Sequence, residues 1–442
     1  MKASTDPTPP RGSTLVLVLC GVLILFDGYD LVVYGNVVPA LLAEPGWGLT
    51  EVDAGRIASL TLVGMSVGAL LAGLLADRFG RRRVIMMSVL VFSTSMAACA
   101  LATLPLLFEV ARALGGVGLG AMFPSATALI MEFARPGRQA MSYSLAFFGY
   151  LIGGIAAAGL GMLLIEQFGW RTMFWIGAVP LLLFPVLLRH LPESPAWLVS
   201  RGRREEAHRI AERSGLDTAP LVPRPAGGST WSAVFAPGYR TATVTLWLIQ
   251  FCSLLLVTGM VTWLPSMMHQ IGYSLGFALG FVLILNCGAA IGAVVAARSA
   301  DRIGAKKPVV ALFVLGGAGL FILALQPQPL IAFALIAVAG AGTLGAQILV
   351  NAFGASLYPD AVRGSGLGWA LAVGRTGAIA GPVVFGAVMA TDSGAITNFY
   401  VLAGIGVLGA LLAACLPLTP AAREAISRMR RETRKTAVPP VH

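Results

Sequence analysis

The sequence predicts an all-α integral membrane fold: twelve transmembrane helices in two pseudo-symmetric six-helix bundles. Three observations carry that expectation. The 442 residues are 57% hydrophobic and only 12% charged, with a mean hydropathy of +0.82. Twelve apolar runs are each long enough for a bilayer, which asks about 20 predominantly apolar residues per helix. A charged motif from the first half recurs in the second.

The runs lie at 14–43, 51–76, 84–104, 106–133, 139–167, 171–190, 241–268, 275–299, 308–326, 329–356, 364–390 and 395–417. They are continuous and do not alternate with period two, which argues against an outer-membrane barrel. The 53 glycines suit transmembrane helices that pack backbone to backbone. A net charge of +11 in a soluble chain would suggest nucleic acid. Here the charge follows the even-numbered turns instead: Arg78 and Arg81 to Arg83, Arg135 and Arg138, Arg201 to Arg213, Arg302 with Lys306 and Lys307, and Arg363. Only Arg56 and Arg171 lie near the odd ones. This bias predicts a multi-pass protein of a cell (inner or plasma) membrane with both termini cytoplasmic, a lipid partner and no nucleic-acid partner. The first run is too long for a signal peptide and reads as a retained anchor. Cys20, Cys99, Cys252, Cys287 and Cys415 all fall in apolar runs without a CxxC pair, so neither metal nor cofactor is expected.

A polar stretch divides the chain into a first bundle (1–191), a linker (192–240), a second bundle (241–418) and a tail (419–442). Within the linker, 193–215 alternates charge sign at helical spacing and predicts a surface helix. The halves align: LLADRFGRRRV (74–84) on RSADRIGAKKP (298–308) sets Asp77 on Asp301, Arg78 on Arg302 and Gly80 on Gly304. Six-helix repeats of this kind place a substrate site at the repeat interface near midplane.

The first run contains FDGYD (26–30). Asp27 and Asp30 share a helix face, roughly 20 Å from the start of the run at 1.5 Å per residue. Each mid-membrane charge costs about 2.5–3.5 kcal/mol. Burial disfavours an anion, and a neighbouring anion disfavours it further, so the pair favours holding a proton. A proton-coupling site follows, and either acid could titrate. The alternative is a helix irregularity at Gly28 whose freed amides one Asp satisfies.

Arg112 and Arg375 lie well inside apolar runs. One could clamp a substrate carboxylate while the other balances the helix 1 acids. Arg112 has Glu109 three residues before it as an ordinary partner; Arg375 has no acid nearby in its own run. Tyr34, Tyr150 and Trp369 offer aromatic walls, as do Tyr29, Phe147, Phe148 and Trp263, and Gln250, Asn286, Gln347 and Asn351 are the few amides. Apolar walls with sparse polar groups suit a flat aromatic acid with one charge. Near the other helix ends, Asp77, Arg78, Arg81, Glu132, Arg138, Asp301 and Arg302 could pair across helices.

GLLADRFGRRR (73–83) resembles the loop 2–3 motif of the major facilitator superfamily; the second copy departs from it at Ala297 and Ala305. LPESPAWL (191–198) resembles that superfamily's motif after segment 6, with Ala196 where Arg is usual. FDGYD followed by VVYGNVVP (32–39) resembles the first helix of the aromatic acid:proton symporters. The resemblance implies the major facilitator fold and symport of a benzoate- or hydroxybenzoate-type carboxylate with a proton. It also implies that Asp27 and Asp30 are the transport-essential acids, and that Asp77, Arg78, Arg81 and Glu132 latch the cytoplasmic side. A monomer is expected. The alternatives are a carrier of another small organic anion and a transporter-like sensor of aromatic acids. No Ser/His/Asp, HExxH or metal pattern suggests an enzyme.

Overall fold

The protein is described from a computed structural model. It describes residues 11–134, 139–214, 216, 234–391, 393–417 and 419, with the side chains at 11, 12, 139, 140, 143, 144, 147, 360 and 361 left aside. The elements are helical throughout these residues. They are α1 (Arg11–Leu42), α2 (Glu51–Phe79), α3 (Arg81–Leu101), α4 (Pro105–Phe133), α5 (Gln139–Phe168), α6 (Arg171–Gly177), α7 (Phe184–His190), α8 (Pro195–Ser200) and α9 (Arg204–Ser214). After the linker come α10 (Arg240–Gln270), α11 (Leu275–Ile303), α12 (Lys306–Leu323), α13 (Pro329–Gly340), α14 (Ala346–Ser356), α15 (Asp360–Met389) and α16 (Gly394–Cys415). Among the described residues, twelve spans are long and apolar enough to cross a membrane, as the hydropathy predicts.

Two spans are not plain helices. The sixth passes from α6 through a 3₁₀ turn (Val179–Leu183) into α7. Pro180 and Pro185 each remove a backbone donor there, so the α ladder cannot run through. The tenth passes from α13 through a π turn (Ala341–Gly345) into α14. The predicted surface helix is two helices, α8 and α9, separated at Gly202, whose φ of 77° ends the first. The repeat is visible in the backbone: Gly80 (φ 92°) and Gly304 (φ 84°) make equivalent left-handed turns after α2 and α11.

Packing divides the chain into one unit of Met1–Tyr34 with Leu60–Pro225 and a second of Gly35–Ser59 with Ala226–His442. The limits read from sequence follow the polar linker; packing instead gives Gly35–Ser59 to the second unit. The Ser59 hydroxyl there donates to the Ile379 carbonyl at 2.6 Å.

Candidate functional site

In the first unit, the helix continues unbroken through Gly28, which corrects the reading of an irregularity at that position. Gly28 is required for a different reason. A Cβ on it would overlap the Tyr150 carbonyl, and one on Gly153 would overlap the Leu25 carbonyl, so α1 and α5 touch backbone to backbone beside the acids. Asp27 and Asp30 are 4% and 2% exposed. From α4, Arg112 reaches Asp30 with both prongs: Nη1 bonds Oδ1, and Nη2 donates to Oδ2 at 3.2 Å. Arg112 is itself 4% exposed, so this is a buried bidentate ion pair. Its guanidinium stands 5.4 Å from the Tyr34 ring centroid and 5.9 Å from that of Phe174. Tyr29, between the acids, donates its hydroxyl to the Met173 carbonyl at 2.8 Å. Tyr150 is within electrostatic reach of both acids. Of the two roles open to Arg112, the geometry matches balancing a helix 1 acid.

In the second unit, Gln250 of α10 meets Gln347 and Asn351, which lie four residues apart on one face of α14. Gln250 Nε2 donates to Asn351 Oδ1 at 2.7 Å. Gln347 Nε2 donates to Gln250 Oε1 at 2.8 Å and to Asn351 Oδ1 at 3.2 Å. Asn286 does not join them, because its amide donates to the Val282 carbonyl of its own helix at 2.9 Å. Arg375 follows Gly374 in α15, and a Cβ at Gly374 would stand 3.2 Å from Gln250 Cβ. Thus α15 passes close to the amide cluster. Trp369, earlier in α15, is 44% exposed and tilts against Trp247 at 6.4 Å between centroids. Trp263 is buried and donates to the Pro382 carbonyl at 2.9 Å, a packing role.

A third cluster gathers where α2 turns into α3 at Gly80. Arg81 pairs with Glu132 of α4 and donates to Ser194 Oγ at 2.6 Å, while that hydroxyl donates to Glu132 Oε2 at 2.5 Å. Glu193 Oε1 accepts from the backbone amides of Arg82 (3.0 Å) and Ser194 (2.9 Å). The Asp77 carbonyl accepts from Trp197 Nε1 and from Arg201 Nη2, both at 2.9 Å. Arg78 stacks on Phe79 at 5.3 Å. Arg138 lies outside the described residues. The second copy differs: Asp301 and Arg302 are exposed and make no side-chain hydrogen bond or ion pair with another described residue.

A family model, the Major Facilitator Superfamily, matches residues 20–291 and 282–441. The chain belongs to that superfamily. As a major facilitator it is a carrier and not an enzyme, and a multi-pass membrane protein. It is 35% identical to the benzoate transport protein of Acinetobacter baylyi, over 89% of this chain and 87% of that one. It is 36% identical to the gentisate transporter of Corynebacterium glutamicum, over 90% and 87%. The inward open structure of the xylose transporter XylE from E. coli superposes with a TM-score of 0.75 at 20% identity, covering 92% of this chain and 97% of that one. That last likeness concerns the fold alone.

Two parts of this major facilitator escape a reading by residue type. Glu193 and Ser194 tie α3, α4 and α8 together, yet the sequence presents them only within the LPESPAWL motif, with no partner: Ser194 bonds Arg81 and Glu132 and also caps α8 through the Trp197 amide at 3.1 Å. The π turn has only a run of small residues (339–346) to announce it. The fourth-span arginine was visible, but its Asp30 partner is a tertiary neighbour from another helix.

Proposed function

We propose that this major facilitator is a secondary active transporter that imports an aromatic carboxylate together with a proton by alternating access. The observation that carries the reading is the buried Asp30–Arg112 pair with Asp27 one turn before it. Both oxygens of Asp30 are engaged by Arg112, so Asp27 is the acid assigned to carry the proton. The relatives that carry benzoate and gentisate support an aromatic acid as cargo. Arg375 is assigned to the substrate carboxylate, with Gln250, Gln347 and Asn351 toward the ring. Positive charge in the even-numbered turns supports cytoplasmic termini and a cell inner membrane. Proteoliposome uptake of a panel of labelled benzoates tests this, with and without an acid exterior. Accumulation above equilibrium only with the acid exterior supports it. Uptake indifferent to pH overturns the coupling, and no uptake of any aromatic acid overturns the cargo.

The Arg81–Glu132–Ser194 cluster is assigned as the latch of one access state, with the Asp77 end of α2 tied to α8. A latch alters the balance between states and leaves the ligand contacts alone. Glu132→Gln is therefore expected to slow transport about tenfold, a coupling of modest size, while equilibrium binding of substrate changes far less. Comparing proteoliposome rates with calorimetric affinities checks this; loss of binding without loss of rate contradicts it.

A further inference from the structure

Where the second and third spans meet α8 and α9, the first unit holds a cavity of about 810 Å³. Much of its lining is apolar, with Leu75 and Phe79 of α2, Val91 of α3, Val117 of α4 and Phe184 of α7. The rest is charged: Arg82, Arg83, Glu193, Arg203 and Glu206. Eight residues of α3 separate Arg83 from Val91, so the charged end stands about 12 Å from the apolar one at 1.5 Å per residue. The charges do not cancel. Glu206 pairs with Arg203, and Glu193 Oε1 accepts from the backbone amides of Arg82 and Ser194. The Arg82 guanidinium donates to the Leu188 carbonyl, a neutral acceptor. Arg83 is exposed, and its side chain makes no hydrogen bond or ion pair with another described residue. Among the described residues, then, two guanidinia line the cavity without a carboxylate to pair them, while both carboxylates there are engaged.

We infer that this cavity binds an anionic phospholipid, with its phosphate on Arg82 and Arg83 and one acyl chain lying along α3 toward Val91. Guanidinium stays charged and matches phosphate geometry with paired hydrogen bonds. A small soluble anion would leave the apolar end empty, and an uncharged amphiphile would leave the arginines unmatched. A zwitterionic headgroup brings a cation of its own, for which no free carboxylate is at hand. The cavity size suits one chain and a headgroup, within the usual range of ligand sites. Arg82 and Glu193 also fasten α3 to the start of α8, so the lipid would rest against the cluster assigned above as a latch. The inference does not depend on which cargo the carrier takes.

The test is native mass spectrometry of the purified full-length protein in detergent, titrated with phosphatidylglycerol, phosphatidylethanolamine and phosphatidylcholine of one acyl composition. The wild type is expected to retain one phosphatidylglycerol about tenfold more tightly than either zwitterionic lipid. Arg83→Gln is expected to remove most of that preference, and Val91→Phe, which fills the apolar end, to weaken the same binding event. Lys307→Gln, which removes an exposed cation from the second unit, is expected to change neither. Equal retention of the three lipids by the wild type overturns the inference. So does a preference that survives in Arg83→Gln, or one that falls equally in Lys307→Gln. Tight binding that is lost in Arg83→Gln but untouched by Val91→Phe would place the lipid on the surface and overturn the cavity as its site. Arg83 has no described partner to lose, so Arg83→Gln decides the headgroup even if Val91→Phe fails to fold.

Discussion

Asp27→Asn is expected to abolish accumulation driven by a pH gradient while leaving exchange of substrate across the membrane in operation. At one proton per substrate, a pH difference of one unit can hold about a tenfold concentration ratio, because a tenfold ratio and one pH unit are both worth about 1.4 kcal/mol. An asparagine mimics the protonated acid in shape but cannot release the proton, so the variant cycles only with substrate aboard. In proteoliposomes with an acid exterior the inside-to-outside ratio should stay near one, while counterflow of labelled against unlabelled substrate continues. Wild-type accumulation by Asp27→Asn would remove that residue from the coupling step. The proposed assignment is motivated by Arg112, which occupies both oxygens of Asp30.

Arg112→Ala is expected to be the most destabilising single change in the first unit. The pair is nearly fully enclosed, with side-chain exposures of 4% and 3%. Removing one partner of a buried ion pair costs about 3–5 kcal/mol, chiefly because the other charge is stranded. Removing both strands neither, so the double variant Asp30→Asn with Arg112→Ala should recover much of the loss. Thermal unfolding in detergent across the four proteins of that cycle measures the coupling. Losses that simply add in the double variant would show that the two side chains do not depend on each other. A functional prediction accompanies the stability one: Asp30→Asn alone leaves a buried guanidinium without its anion. It should therefore reduce folded protein in the membrane, whereas Asp27→Asn should not.

The twelve spans, the repeat and the acid pair were legible because each is written in local residue order. Hydropathy, spacing and charge sign suffice for them, and FDGYD has a cost that hydropathy alone exposes. What local order cannot give is partner choice. Arg112 has Glu109 on its own helix, yet its bidentate partner is Asp30, 82 positions earlier. Asn286 has the same amide as Asn351 but spends it on its own helix at Val282. Asp301 aligns with Asp77, yet in the second copy Ala305 stands where the first basic residue of the motif would be, and among the described residues no pairing like that of Arg81 with Glu132 forms there. The π turn was illegible for a related reason: it arises where Gly342 lies against Gly316 of α12, a contact made by backbone and not by residue pattern.

The contact at Gly28 bears on how the carrier can vary. With α1 resting on the Tyr150 carbonyl, no side chain fits at Gly28, and even alanine would have to push the helices apart. The seat of the first helix beside the acids is thereby set by a backbone carbonyl of the fifth and not by any side chain. Redesign of this stretch would have to rebuild the fifth helix along with the first.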